Sequence, residues 1–368
     1  MPLAILYRPE LKEYDFGPGH PFRGDRYEIF PRFLRQNLPE DDNYRFLEAP
    51  AANDDDLLLI CDKEYIDVTR EYYRAVHLNE PYPANFYTFQ SGDNLPIGTP
   101  GKVEEAARLI VGQAKTACDM VQTGRFQKVV SIGGGMHHAK RRFGEGFCLY
   151  NDVAFCGTYL QQEHKLERIL ILDTDAHAGN GTSQYFYKDQ HVLFVDLHQD
   201  PRTIYPGTGF ANQIGEGPGK GFTVNVPLPQ RAGDRSYRLV FEAIVEPLVR
   251  EFKPQIIVRN GGSDPHFSDQ LTELGLTVNG FRMIGQKTRQ LSEICDGKVI
   301  DLIASGYNRK ALPYAWMALL TGLAGIECEI SDLAPAPGED ISDPSYSETE
   351  KVVQQLKALL KDYWTCFR

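Results

Sequence analysis

Short runs of β-branched and other apolar residues recur from residue 127 onward, and most are separated by stretches long enough for a helix. The runs are Lys128–Ile132 (KVVSI), Arg168–Leu172 (RILIL), His191–Leu197 (HVLFVDL), Gln255–Val258 (QIIV) and Lys298–Ile303 (KVIDLI). Near-continuous apolar runs of this length read as parallel strands covered on both faces. Helix-length segments such as Asp152–His164 and Tyr237–Phe252 lie between them. The alternation predicts an α/β fold: one open parallel sheet with helices on both faces. At 368 residues and 42% hydrophobic, the chain carries enough apolar material to build this as a single domain over 1–368. Residues 1–126, with a helical stretch at Lys102–Thr123, are expected to add helices and rim loops. Residues 127–332 supply the core sheet and its loops. In 333–368, a connector rich in Pro and acids (Leu333–Thr349) leads to a packing helix with a stripe of Val352, Val353, Leu356, Leu359 and Leu360.

Charge and cysteine usage narrow the functional classes. Lys plus Arg number 39 against 50 Asp plus Glu, a net charge of −11, which argues against nucleic acid as a direct partner and is compatible with a cationic substrate. The longest apolar stretch, Ala315–Ile326, is too short to span a bilayer and reads as a buried helix, so no membrane partner is expected. Met1–Arg8 does not read as a secretory leader. Seven cysteines without CxxC spacing favour reduced thiols and a cytoplasmic location. Cys148 and Cys156 read as packed side chains rather than nucleophiles. Oligomeric state is not legible.

Ligands of open α/β sheets bind beyond the carboxyl ends of the strands, and here those positions are unusually polar. KVVSI is followed by Gly133-Gly134-Gly135-Met136-His137-His138, and RILIL by Asp173-Thr174-Asp175-Ala176-His177-Ala178-Gly179-Asn180. QIIV runs into Arg259-Asn260-Gly261-Gly262-Ser263-Asp264, and KVIDLI into Ala304-Ser305-Gly306-Tyr307. Asp175 and His177 share one face of an extended segment, and Asp264 can reach the same point from another strand. Two carboxylates and an imidazole suit a divalent ion and leave a position open, the ligand count of a catalytic site. Asp173 has the same parity and could instead help hold a second, structural cation. His137 and His138 suit proton transfer from an acidified water, and Tyr307 suits donation to a developing oxyanion.

Each motif has a plainer reading. A His pair also caps loops, Asp-x-Asp-x-His also forms a hydrogen-bonded turn, and Asp264 could cap a helix. No one of these explains the other strand ends, so the conjunction favours the catalytic reading. The Gly133–Gly135 run lacks both the GxxxxGK[ST] and GxGxxG patterns of nucleotide binding. His20, His77, His164, His191 and His266 read as structural or solvated, and His198 is left without a role.

The constellation resembles the zinc-dependent histone deacetylase family, whose relatives include acetoin-utilisation proteins and acetylpolyamine amidohydrolases. The similarity runs from Gly19-His20-Pro21 and Arg26, through the segment around Asp93, GGGMHHAKRRFGEGFCLYND (133–152), DTDAHAGNGT (173–182), YPGTG (205–209), IGEGPGKGFTVNVPLP (214–229) and GGSDPHFSDQL (261–271), to SGYN (305–308). The resemblance implies one catalytic Zn2+ on Asp175, His177 and Asp264, the tandem catalytic pair His137 and His138, and Tyr307 as the carbonyl-polarising residue. It further implies a structural K+ at Asp173 and Asp196. Gly146, Phe147, Tyr205 and Leu271 would line an acyl-lysine tunnel, Asp93 would grip substrate amides at its rim, and Arg26 would lie near an internal acetate channel. The chain departs from the family pattern at Ala178, Asn180, Tyr205 and Ser305. The expected activity is hydrolysis of an N-acyl, most simply N-acetyl, amide on an acyl-lysine peptide or small N-acetylated amine. The alternatives are an acetylpolyamine deacetylase and an inactive acyl-lysine-binding scaffold. Leu271, where polyamine-selective relatives place an acid, favours acyl-lysine; a binuclear manganese ureohydrolase would need further bridging carboxylates. The ligand types alone would also accept iron(II) or cobalt(II).

Overall fold

The computed structural model describes residues 2–41, 43–332 and 342–368. Its sheet has eight strands: β1 (Leu3–Leu6), β2 (Tyr44–Leu47), β3 (Lys128–Ile132), β4 (Ile169–Asp173), β5 (Val192–Gln199), β6 (Thr223–Leu228), β7 (Ile256–Asn260) and β8 (Val299–Ile303). Their order is β2-β1-β3-β8-β7-β4-β5-β6, and every pairing is parallel. All residues of β4, β5, β7 and β8 are buried, as a sheet covered on both faces requires. The helices Val103–Gln122 and Asp152–Gln162 pack together, the first against β3 and β8 and the second against β4 and β7. Val278–Ser292 packs on β7 and makes its most extensive contact with Leu312–Ala324, the apolar helix expected from Ala315–Ile326. No helix is long and apolar enough to cross a membrane among the described residues.

All five strands read from the sequence are present, and three more appear. β1 and β2 correct the reading of residues 1–126 as helices and rim loops only. Each is four residues long, too short for a period to show, and β2 is a sheet edge with only Tyr44 fully buried. β6 forms the opposite edge, where Pro227 is tolerated because no further strand needs its missing N–H. The C-terminal helix spans Tyr346–Leu360, so the last four residues assigned to the connector are helical; residues 333–341 of that connector lie outside the described residues. The cysteines are free, with Cys148 and Cys156 buried.

The consequence for function lies in the strand order. The four polar strand ends follow β3, β8, β7 and β4, which are contiguous in the sheet, so segments as far apart in the chain as residues 133 and 307 converge at the carboxyl end of the sheet. A buried ion pair fixes two of them: Arg259 and Asp301 are register partners on β7 and β8. The Arg259 guanidinium also donates to Thr174 Oγ1 at 3.1 Å. Removing one member of such a pair leaves the other charge buried and costs about 3–5 kcal/mol. Asp301→Ala is therefore expected to lower the urea unfolding midpoint by that equivalent, and a loss under about 1 kcal/mol would mean that Arg259 is solvated or re-paired.

Candidate active site

The turn after β3 is held from beneath. Asp152, at the start of its helix, accepts from Gly135 N at 2.9 Å and Met136 N at 2.7 Å. Gly135 sits at φ +125°, and a Cβ there would lie 2.4 Å from Asn260 Oδ1. That turn delivers His137 and His138 side by side, with their Nε2 atoms 3.1 Å apart. His137 Nδ1 lies 2.9 Å from Asp173 Oδ2, which also accepts from Asn260 Nδ2 at 2.9 Å. His138 Nδ1 lies 2.8 Å from Asn180 Oδ1. Gly146 lies against this ring at φ +62°, and its Cβ would fall 2.2 Å from His138 Cδ2. Any side chain there would push the imidazole out of place.

Beside the pair, Asp175, His177 and Asp264 each offer a ligand-type atom, all within 4.8 Å of one another. His177 Nδ1 lies 3.2 Å from Asp175 Oδ1 and 3.0 Å from Asp264 Oδ2. Asp264 Oδ1 is held by Ser305 Oγ at 2.7 Å, so the departure at residue 305 supplies a partner for the third acid. As protein groups alone these side chains do not keep ordinary charge states. Burial and Asp175 push the Asp264 carboxyl up to about 7. His177, despite burial, is raised to about 10 by hydrogen bonds to the two acids. Against its own burial, Asp175 is held well below the carboxylate range by His137 and His177. Two buried carboxylates forced together around one imidazole nitrogen fit a divalent cation, which would compensate both charges and take the nitrogen lone pair.

The same electrostatics separates the two His. Burial opposes charge on both, but Asp173 and Asp175 lift His137 to about 9, whereas His137 and His177 depress His138 well below its usual value. Asp173 and Asp196 are register partners on β4 and β5. The Asp196 carboxylate accepts from Gly179 N at 2.9 Å and faces His198 Nδ1 at 2.9 Å, which gives His198 its role.

Tyr307 closes the other side. Its backbone N–H donates to Asp269 Oδ2 at 2.8 Å, and Asp269 Oδ1 accepts from Leu271 N at 3.0 Å, so one carboxylate ties Tyr307 to the residue expected at the gate. Burial, reinforced by Asp264, keeps its phenol protonated well beyond the ordinary range, as a donor must be. The Phe147 ring centroid is 6.1 Å from that of Tyr307, and Tyr205 lies 5.1 Å from His138. Arg26 donates to Ala304 O at 2.7 Å, its guanidinium carbon lies 5.5 Å from the Tyr307 ring centre, and both residues line a cavity of about 290 Å³. Asp93 accepts from Gly146 N at 3.0 Å. Leu271 and Tyr205, 40% and 41% exposed, reach the surface. His20, read as structural or solvated, is buried against Phe16 and Phe147. Asp152, Asn260 and Asp269 carry no role in the sequence reading. Their signal was position alone: each lies within or beside a motif that bears a site residue.

Comparison with known proteins follows the same outline. The family model for the histone deacetylase domain matches residues 20–323. A probable deacetylase of Archaeoglobus fulgidus is 33% identical over the whole of both chains. The acetoin utilization protein AcuC of Staphylococcus aureus is 32% identical over 98% of this chain and 90% of its own. The corresponding Staphylococcus xylosus protein is 35% identical over 88% and 82%. Among solved structures, the HDA15 HD domain superposes with a TM-score of 0.81 at 23% identity, covering 100% of this chain and 97% of that one, a likeness of fold.

The site's charge predicts a pH dependence. Folded-state values of about 9 for His137 and 10 for His177 exceed the ordinary 6.5. Their stabilisation is therefore complete below pH 6.5 and is lost as pH rises through 9 to 10. In chelator, the thermal midpoint is expected to fall over that window, and saturating zinc, which requires neutral imidazole, to flatten the slope. Equal slopes with and without zinc would contradict the charge assignment.

Proposed function

We propose an activity on an established premise: this chain belongs to the histone deacetylase family, and the reaction that follows at the coarse level is hydrolytic deacetylation of an amide. In the finer reading, Asp175, His177 and Asp264 hold a catalytic Zn2+, and a K+ at Asp173 and Asp196 is structural. The observation that carries this reading is the convergence of two buried carboxylates and an imidazole within 4.8 Å, beside a His pair. Zinc bound there supplies a Lewis acid that polarises an amide carbonyl and acidifies a water. His138 Nε2 takes a proton from the attacking water while His137, charged by Asp173, stabilises negative charge nearby. Tyr307 donates its phenolic hydrogen to the carbonyl oxygen as the carbon becomes tetrahedral. Collapse breaks the C–N bond, the amine leaves with the proton returned through His138, and the products are a carboxylate and a free amine.

The substrate in this reading is an acyl-lysine, most simply acetyl-lysine in a peptide. Gly146, Phe147, Tyr205 and Leu271 line the path of its alkyl chain, Asp93 holds backbone amides at the rim, and Arg26 borders the acetate exit. The exposed Leu271 supports acyl-lysine over an acetylpolyamine, because an apolar gate offers no partner to a distal ammonium. Retention of both His, Tyr307 and the three ligand-type residues supports turnover rather than passive binding. Free cysteines support residence in the cytoplasm.

Two sets of variants test the reading. Asp264→Ala is expected to lose bound zinc and activity together. Tyr307→Phe is expected to keep zinc and KM while kcat falls about 10²–10³-fold. A Tyr307→Phe enzyme with near wild-type kcat under conditions where chemistry limits turnover would remove the phenol from the mechanism. For specificity, Leu271→Glu is expected to raise the kcat/KM ratio of acetylated polyamine over acetyl-lysine peptide. An unchanged ratio would take residue 271 away from the gate.

A further inference from the structure

The hydrogen bonds around His138 continue beyond the catalytic pair to a residue that no motif assigns. Asn180 presents Oδ1 to His138 Nδ1 at 2.8 Å, and on its other side Nδ2 donates to Glu145 Oε1 at 2.7 Å. The same Glu145 oxygen receives Lys140 Nζ at 2.7 Å. The Glu145 side chain is only 14% exposed, and its loop is clamped in place: Cys148 N donates to Glu145 O at 3.0 Å, and Gly146 N donates to Asp93.

An amide side chain can face a neighbour with either its oxygen or its nitrogen, and sterically the two ends are nearly equal. Glu145 breaks that equivalence at Asn180, because a carboxylate accepts and does not donate. It captures Nδ2 and turns Oδ1 toward His138. An oxygen at that position requires Nδ1 of His138 to carry the hydrogen, which leaves Nε2 with its lone pair.

We infer that Glu145, neutralised by Lys140, is a positioning residue that fixes the Asn180 amide and thereby holds His138 in the tautomer whose Nε2 can accept a proton. The inference rests on the reading of His138 as the base. It also accounts for the Asn at 180. An Asp there would set a second carboxylate at hydrogen-bond distance from Glu145, and the two would repel unless they shared a proton. Residues 145 and 180 form a matched pair: one carboxylate and one amide, the carboxylate on the outer member.

The pairing predicts sign epistasis. Glu145→Leu frees the amide to flip and present Nδ2 to His138, so kcat against an acetyl-lysine peptide is expected to fall about 10–100-fold with KM and zinc content unchanged. Asn180→Asp in the presence of Glu145 is expected to lose activity through the clash of carboxylates. The double variant Glu145→Leu/Asn180→Asp removes the clash and restores an acceptor that cannot flip, so its kcat should exceed that of both single variants. A merely structural role for Glu145 gives the reverse, with the losses multiplying. Wild-type kcat in Glu145→Leu, or a double variant no better than the worse single one, would overturn the inference. Two-bond 15N–1H correlations of the imidazole report the His138 tautomer without turnover. They should show hydrogen on Nδ1 in the wild type and the double variant and a shift toward Nε2 in Glu145→Leu. A wild-type enzyme that holds Nδ1–H yet hydrolyses no acylated amine would fail the functional reading while leaving the positioning role intact.

Discussion

Burying a carboxylate costs several kcal/mol unless opposite charge or hydrogen bonds compensate it, and this fold buries Asp152, Asp173, Asp175, Asp196 and Asp264 at one end of a single sheet. The rest of the site can be understood as the means of compensation. Asp152 is met by two backbone N–H groups of the turn that it shapes, Asp173 by His137 and Asn260, and Asp196 by Gly179 N and His198. Asp175 and Asp264 are left with a shared imidazole, the backbone N–H of His177 and one serine hydroxyl. That residue of uncompensated charge fits a cation better than a purely structural acid cluster. It also explains why the neighbouring His differ: each imidazole takes its charge from the acids that it faces.

The sheet was legible where burial is complete. The runs around β3, β4, β5, β7 and β8 are apolar because helices cover both faces, so composition alone marks them. The edges were not legible, for a physical reason. The edge strands β2 and β6 have one paired side each, and β2 is four residues long while β6 carries Asn225 and Pro227; β1, paired on both sides, is also only four residues long. What defines such strands is a neighbouring backbone far away in sequence, and no local period encodes that.

The chemical residues were legible because open parallel sheets concentrate function at strand ends, so polar residues that interrupt an apolar run carry information that scattered ones do not. Asp175, His177, Asp264 and the two His follow strands that prove contiguous, and their mutual distances follow from that order. The residues one step further out were not legible. Asp269 acts through backbone N–H groups of Leu271, Tyr307 and Asn308, and Asp152 through those of Gly135 and Met136. An acid that works by accepting backbone hydrogen bonds has no required spacing to its targets. His198 illustrates the same limit, since its partner Asp196 is two residues away yet the contact depends on both facing one side of β5.

The departures from the family pattern show how such a site tolerates change. Ser305 stands in a run that is commonly Gly-rich, and its added hydroxyl donates to Asp264 Oδ1 at 2.7 Å while its backbone carbonyl accepts from Trp316 Nε1 at 3.0 Å, so both hold the turn that precedes Tyr307. Gly306, at φ +125°, takes up the backbone conformation that the turn needs, and a Cβ there would collide with Ser263. At 180 the exchange of a carboxylate for an amide keeps an oxygen against His138 only because a different acid stands behind it. At 180 the oxygen facing His138 is kept although the residue type changes, whereas at 305 a hydroxyl is added and finds Asp264 as its partner. A buried polar site requires that the right donor or acceptor point inward. A substitution is admitted when a second residue, at a distance the fold already supplies, fixes that direction.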